Sequence, residues 1–351
     1  MEDRKQDLPT VFLGILVIVV IGVLLHELQS VFLPLILATL LSYIFKPLVM
    51  FMRKYRIPNA LALFVVFVFI SGVMFGLWSI VYSSVESFVR EFPKYQNKLY
   101  LLLYQISLSL EEVARVLDID HRGMALTDII DVTALTGVVT SSAGSLLSLL
   151  GNLMLVLLLM FFILAASGDL VTKMETAFVR HDSQRVSTMI ENIDKKIRQY
   201  LITKTLISLV TGSLTTMILL LLDVDFALLW GFIAFLLNFI PNIGSITSVF
   251  FPVMFSLLQF DTLAIPLLAL ILLSITQGLI GNVIEPRVMA FSLDLSPLLV
   301  LMALVFWGWL WGIVGMILAV PMMATVKIVC ENISTLQPVA VLMSNPRTKR
   351  H

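Results

Sequence analysis

The chain has 351 residues, 59% of them hydrophobic and 13% charged, with a mean hydropathy of +1.01. That balance excludes a water-soluble domain with a polar exterior and predicts an all-α polytopic membrane protein. Basic and acidic residues match at 23 each, so no field exists to hold nucleic acid. The one cysteine, Cys330, excludes an intrachain disulfide, and His26, His121, His181 and His351 show no ligand spacing, so neither metal nor cofactor is expected.

A helix needs about 20 apolar residues to cross the hydrocarbon core, where every backbone polar group must be satisfied internally. The N-terminal "MEDRKQDLPT" leads into an apolar run without a small-residue cleavage site, which predicts a retained first helix over 9–28. Further spans are expected at 31–52 and 59–82, closing an N-terminal transmembrane region over 1–82. Residues 83–140 hold eight acids and five bases. With a stripe at Leu99, Leu102, Ile106, Leu110, Val113 and Leu117, they predict an extramembrane, periplasmic helical subdomain.

A fourth span, 145–167, lies within a 141–167 transmembrane segment. Residues 168–204 carry seven Lys/Arg and a stripe at Met189, Ile193, Ile197, Tyr200 and Leu201, the pattern of a cytoplasmic amphipathic helix. Basic residues also collect at Arg4 and Lys5, at Lys46 to Arg56, and at Arg347 to Arg350, so both termini are expected in the cytoplasm.

Residues 205–333 form the expected transport core, and 334–351 a cytoplasmic tail. Residues 205–222 cross to a turn at Asp223-Val224-Asp225, and 226–260 is broken by Asn238, Pro241, Asn242, Gly244 and Ser245 into two pieces too short to span. Residues 263–285 cross back, and 297–329 is interrupted at Gly308, Gly312 and Gly315. The reading is six full transmembrane helices plus two interrupted hairpins, each re-entrant.

A shift of 69 residues lays Gly212 on Gly281, Asp225 on Asp294 and Pro252 on Pro321. Polar stripes Thr205, Ser208, Gly212, Thr216 and Ser274, Gln277, Gly281, Glu285 coincide as well. One unit starts inside and the other outside, the pattern of an inverted repeat. Small and hydroxyl side chains also serve plain helix packing, and that alternative stands beside it.

Pro286 removes a backbone donor and disfavours helical geometry at Glu285, which ends a polar face containing Gln277, Gly281 and Asn282. An intramembrane acid normally faces a cavity and a partner, here Arg287 or Lys204. The plainer alternative puts Glu285 and Arg287 at headgroup level. Trp307, Trp309 and Trp311 fit an interfacial belt, and Asp223, Asp225 and Asp294 fit turns and caps. The transport pathway is expected to draw on Asn238, Pro241, Asn242, Gly244, Gln277, Asn282, Glu285, Arg287, Ser208 and Thr216. Lys204, Gly212, Gly281, Pro286, Gly308, Gly312 and Pro321 are expected to gate or pack. No GxGD pair, HExxH motif or Ser-His dyad marks an enzyme.

"LDVDFALLWGFIAFLLNFIPNIGS" (222–245), "GNVIEPRVM" (281–289) and "FWGWLWGIVGMILAVP" (306–321), with "KIVCENI" and "VAVLMSN" after them, resemble the autoinducer-2 exporter family of bacterial membrane proteins. The resemblance implies an inner-membrane transporter that assembles as a homo-oligomer, a pentamer, in the lipid bilayer without an ATP-binding domain. It implies export of a small polar metabolite such as autoinducer-2 through a pathway between two hairpin units, with coupling to a proton or sodium gradient. Other members imply the alternative of sodium or lithium exchange for protons, carried here by Glu285. "MAFSLDLSP" (289–297) departs from the family pattern at Phe291 and Asp294.

Overall fold

The computed structural model describes residues 13, 16, 17, 20, 22–116, 137, 140, 141, 144, 151–177, 183–289 and 295–344. Most of the expected first span, His121, His181, Phe291, Asp294 and the basic tail lie outside them. The described residues are mostly helical, with no strand among them and one isolated bridge, Leu295 to Ser344.

In chain order the helices are α1 (Gln29–Lys54), α2 (Asn59–Val116), α3 (Leu153–Ala177), α4 (Ser183–Leu221), α5 (Ala227–Leu237), α6 (Ile243–Gln259), α7 (Ala264–Val288), α8 (Pro297–Asn332) and α9 (Gln337–Met343). Five stretches among the described residues are long and apolar enough to cross a membrane: α1, Asn59–Ser109 of α2, Glu191–Leu221 of α4, α7 and α8.

Two expected boundaries carry no break. The span expected to stop at residue 82 continues as one helix of 58 residues, about 87 Å at 1.5 Å per residue, far more than the ~30 Å hydrocarbon core. The amphipathic stretch ending at Lys204 and the crossing that follows are likewise one helix, α4, because nothing between them breaks a helix. Hydropathy changes along each axis while the backbone pattern does not.

The chain divides into two units, and the division falls within α2, α4 and α7. The first holds residues 1–71, 153–206 and 286–351. There α1 packs along α3, and Ile197, Tyr200 and Leu201 of α4 meet Ala324 and Ile328 of α8, flanked by Leu40, Tyr43 and Ile44. Asp194 accepts from Lys46 at 2.7 Å and lies 3.6 Å from Arg198.

Helix α8 is a folded-back element. Trp311 and Gly312 leave helical geometry (φ −132°, ψ 17° and φ 62°, ψ −144°), the second a conformation glycine alone adopts readily. A Cβ on Gly315 would overlap the carbonyl of Trp307, eight residues earlier, so the chain reverses there. The ends agree, since Ser296 N donates to Met343 O at 2.8 Å, impossible if α8 ran straight for its 36 residues. Trp311 is buried, its indole N–H on the carbonyl of Leu25 at 3.0 Å, while Trp309 is exposed. Trp311 therefore does not share the exposed face of Trp309, and Trp307 is half-buried between the two extremes.

The second unit holds residues 72–152 and 207–285. Its core joins Leu219, Val224, Ala227, Trp230, Val253, Phe255, Ala269 and Leu273 to Tyr95 of α2. Phe88 stacks edge-on against Phe226 and Trp230, which holds Phe226 in left-handed geometry at φ 60°. A polar clamp closes this end. Tyr95 Oη donates to Asp225 at 2.5 Å, and Gln259 bonds both Asp223 O (2.7 Å) and Asp225 N (2.8 Å). Lys98 donates to Asp261 at 2.8 Å, and that ammonium holds the exposed Asp261 carboxyl below the usual carboxylate range. Tyr95→Phe is expected to cost about 1 kcal/mol and no more, because the exposed Asp225 regains water. Thermal unfolding of the purified variant checks it.

Candidate functional site

The candidate site is the polar interior of the second unit, built from α4, α5, α6 and α7. On α4, Ser208, Thr211 and Thr215 are buried at 1% exposure or less. At about 100° per residue they share one face, with Thr215 about 20° from Ser208, whereas Thr216 lies about 80° away. Thr216 is half-buried accordingly, its hydroxyl against Gly231. Gly212 and Gly231 let α4 and α5 meet closely: a Cβ on either would lie 2.7 Å from the other's carbonyl oxygen.

Two hydrogen bonds link the four helices in pairs. Asn238, ending α5, donates its amide to Ser208 at 2.9 Å. Gln277 of α7 donates to Ser248 of α6 at 2.8 Å, and Ser248 donates in turn to Ser245 O at 3.0 Å. Both pairs engage the amide nitrogen, so each amide oxygen is still an acceptor. Thr215 Oγ1 and Trp230 Nε1 are buried without a hydrogen-bond partner, which costs roughly 1–3 kcal/mol each. The interior thus presents uncharged donors and acceptors from every helix around it.

The link between α5 and α6 is tightly specified. Pro241 O accepts from Ile243 N at 2.7 Å around Asn242, whose φ 61°, ψ −56° is the strained γ-turn conformation. Such strain costs on the order of 1–3 kcal/mol and persists only where surroundings enforce it. Two residues after Asn242, a Cβ on Gly244 would overlap the carbonyl of Leu237. Glycine is what lets α6 fold back beside α5.

The opposite wall ends in a helix defect. Residues Ile280–Ile284 of α7 are π-helical, and Glu285 N bonds Ile280 O, five residues back. Pro286 has no N–H for a carbonyl one turn earlier, and the wider turn absorbs its ring. Glu285 itself keeps right-handed helical geometry (φ −57°, ψ −49°), so the deformation falls in the turn before it, where proline's steric demand is met.

Of the residues the sequence singled out, Ser208, Asn238, Gly212, Gly244 and Gln277 are buried in this unit. Pro241, Thr216, Gly281 and Glu285 are half-buried, and Asn242 and Asn282 exposed. In the first unit Lys204 and Pro321 are buried, Gly308 is half-buried, and Pro286, Arg287 and Gly312 are exposed. Thr211, Thr215, Ser248 and Ser256 were missed. The 208, 211, 215 spacing marks the first two on α4, whereas the stripe through 208, 212 and 216 advances in steps of four and drifts off the buried face.

The family profile described as AI-2E family transporter matches residues 13–335. The AI-2 transport protein TqsA of Escherichia coli K12 is 33% identical over 95% of this chain and 95% of its own length. A protein of Borreliella burgdorferi is 32% identical over 90% of this chain and 85% of its own, and the Escherichia coli K12 protein YhhT 30% identical over 96% and 94%. With several apolar helices of spanning length, this is a multi-pass membrane protein, and from the near full-length match the chain belongs to the AI-2E family of transporters.

Proposed function

We propose that the protein exports a small, uncharged, hydroxyl-bearing metabolite, of the class of autoinducer-2, across a bacterial inner membrane, both termini facing the cytoplasm. The observation that carries this reading is the set of neutral hydrogen-bonding groups inside the second unit: Ser208, Thr211, Thr215, Asn238, Ser248 and Gln277. A polar side chain among membrane-spanning helices is costly, and such a group generally serves a pathway or a partner. Amides and hydroxyls match the alternating donors and acceptors of a hydroxylated ring, and no net charge in that set favours an ion. The similarity to an AI-2 transport protein supports the same substrate class. Asn242 and the Gly244 turn place a strained tip at one end of this wall, the kind of feature a re-entrant hairpin carries. The working form in this reading is a homo-oligomer.

A second reading, sodium or lithium exchange for protons through Glu285, is favoured by the π-helical turn, since Pro286 offers no donor to the carbonyls before it. Reconstitution in liposomes separates the two. Wild type is expected to move autoinducer-2, with flux that responds to an imposed proton gradient if Glu285 couples it, and Glu285→Gln is expected to retain flux but lose the response. Sodium exchange without any movement of the signal sinks the exporter reading.

A further inference from the structure

Two buried polar groups of the second unit have no hydrogen-bond partner, the hydroxyl of Thr215 and the indole N–H of Trp230. Thr215 is 1% exposed and Trp230 7%. Such groups are rare in native interiors, because each forfeits the hydrogen bonds it would make in water. They also stand at one level. Ser208 of α4 accepts from the amide of Asn238 at the end of α5, a Cβ on Gly212 would crowd Phe235, and one on Gly231 would overlap the hydroxyl of Thr216. Those three contacts make α4 and α5 antiparallel and fix their register, which sets Trp230 across from Thr215.

The side on which the two emerge follows from the helical rotation. At about 100° per residue, Thr215 lies about 60° to one side of Gly212, and Trp230 about 100° to the same side of Gly231. In an antiparallel pair, turns of the same sense on the two helices open on the same flank of the seam. Ser208 and Asn238 open there as well, and the two levels are about 10 Å apart at 1.5 Å per residue. One level is closed by its own hydrogen bond and the other is open. Helix α6 covers this flank. The indole of Trp230 stacks on Phe251 with 9° between the ring planes and lies 5.7 Å from Phe255, while Phe88 of α2 meets it edge-on at 5.8 Å. These rings fix the indole and offer it no oxygen. Further along the same seam lies a cleft of about 420 Å³, walled by Leu220 of α4 and by Ala227 and Leu228 of α5.

We propose that Thr215 and Trp230 form a subsite for one neutral oxygen of the transported solute, reached from that cleft. The indole N–H donates to the oxygen, and the threonine hydroxyl donates to a carbonyl or accepts from an alcohol. A hydroxylated ring supplies either. A cation gains nothing from the indole, which only donates. The subsite rests on the reading of this interior as a solute pathway and adds Trp230 to it as a specificity determinant.

The full-length protein, carrying fluorotryptophan at its five tryptophans and held in phosphatidylcholine nanodiscs, is titrated with autoinducer-2 and separately with glycerol, and autoinducer-2 flux is measured in liposomes from the same preparation. The fluorine resonance lost in Trp230→Phe identifies the indole. It is expected to move saturably with solute. Thr215→Val is expected to raise the half-saturating concentration about tenfold, the loss of one hydrogen bond, while its unfolding temperature holds or rises because an unpaired hydroxyl has gone. Thr215→Ser, which keeps the hydroxyl, is expected to bind as wild type does. A resonance that neither solute moves overturns the proposal and leaves a fixed water as the only occupant of the pair. A half-saturation unchanged in Thr215→Val overturns it too. So does a Thr215→Val protein that is destabilised or fails to fold, since the hydroxyl would then have a partner within the fold. Flux tells this failure from that of the exporter reading. Autoinducer-2 flux with an unmoved Trp230 resonance overturns the subsite alone, whereas no flux with a saturable glycerol response that weakens in Thr215→Val sinks the exporter reading for autoinducer-2 and upholds the subsite.

Discussion

Gly244→Ala is expected to destabilise the protein by about 3 kcal/mol, the upper end of what overpacking costs. The added methyl has nowhere to go, since its neighbour is the carbonyl of Leu237, backbone rather than a side chain that can rotate. Relief requires opening the α5–α6 turn, already strained at Asn242. Gly315→Ala meets the same obstacle at the carbonyl of Trp307 and is expected to behave alike. Gly281→Ala is the control. A Cβ there meets nothing within 4 Å, and alanine is the better helix former, so stability should hold or rise slightly. Thermal unfolding and size-exclusion profiles of the three purified variants test the set; a Gly244→Ala midpoint equal to that of Gly281→Ala would show that the turn is not closed as described.

Asn238→Leu, which keeps the branched shape of the amide with bulkier methyl ends, is expected to reduce autoinducer-2 flux at least about tenfold, the equivalent of one lost hydrogen bond to a bound solute. It also strands the hydroxyl of Ser208, costing about 1–2 kcal/mol of stability. Those two effects separate in the double variant. Replacing both partners, Asn238→Leu with Ser208→Ala, removes the stranded group and should restore most of the stability. Flux should stay low, because the site has lost its amide. Recovery of flux together with stability would mean that the pair only holds α4 to α5. Gln277→Leu, alone and with Ser248→Ala, repeats the logic across α6 and α7.

The hairpin tips were legible because their signals are local. Pro241, Asn242 and Gly244 cannot continue a helix comfortably, and glycines at 308, 312 and 315 weaken one, so the breaks at 238–242 and 311–312 lie where backbone chemistry puts them. Pro286 likewise announced a defect in α7, although the chain took it up one turn earlier than the residue's own φ/ψ preference implied. Polarity carries a different kind of information. Residues 82 and 204 mark changes of solvent preference along helices that never stop, since polarity tells where an element lies and not where its hydrogen bonds end.

By itself the sequence determined an all-helical membrane chain, its interrupted segments and its family, because hydropathy, breakers and motif residues act over a few turns or along the whole chain at once. Tertiary structure alone decided which hydroxyls face inward, that Asn238 meets Ser208 and Gln277 meets Ser248, and that Lys327 lies buried beside Glu331. Those outcomes depend on the rotation of each helix about its axis. In a chain whose outer surface is as apolar as its core, hydrophobic periodicity barely sets that rotation, and close packing at a few glycines and paired polar groups sets it instead.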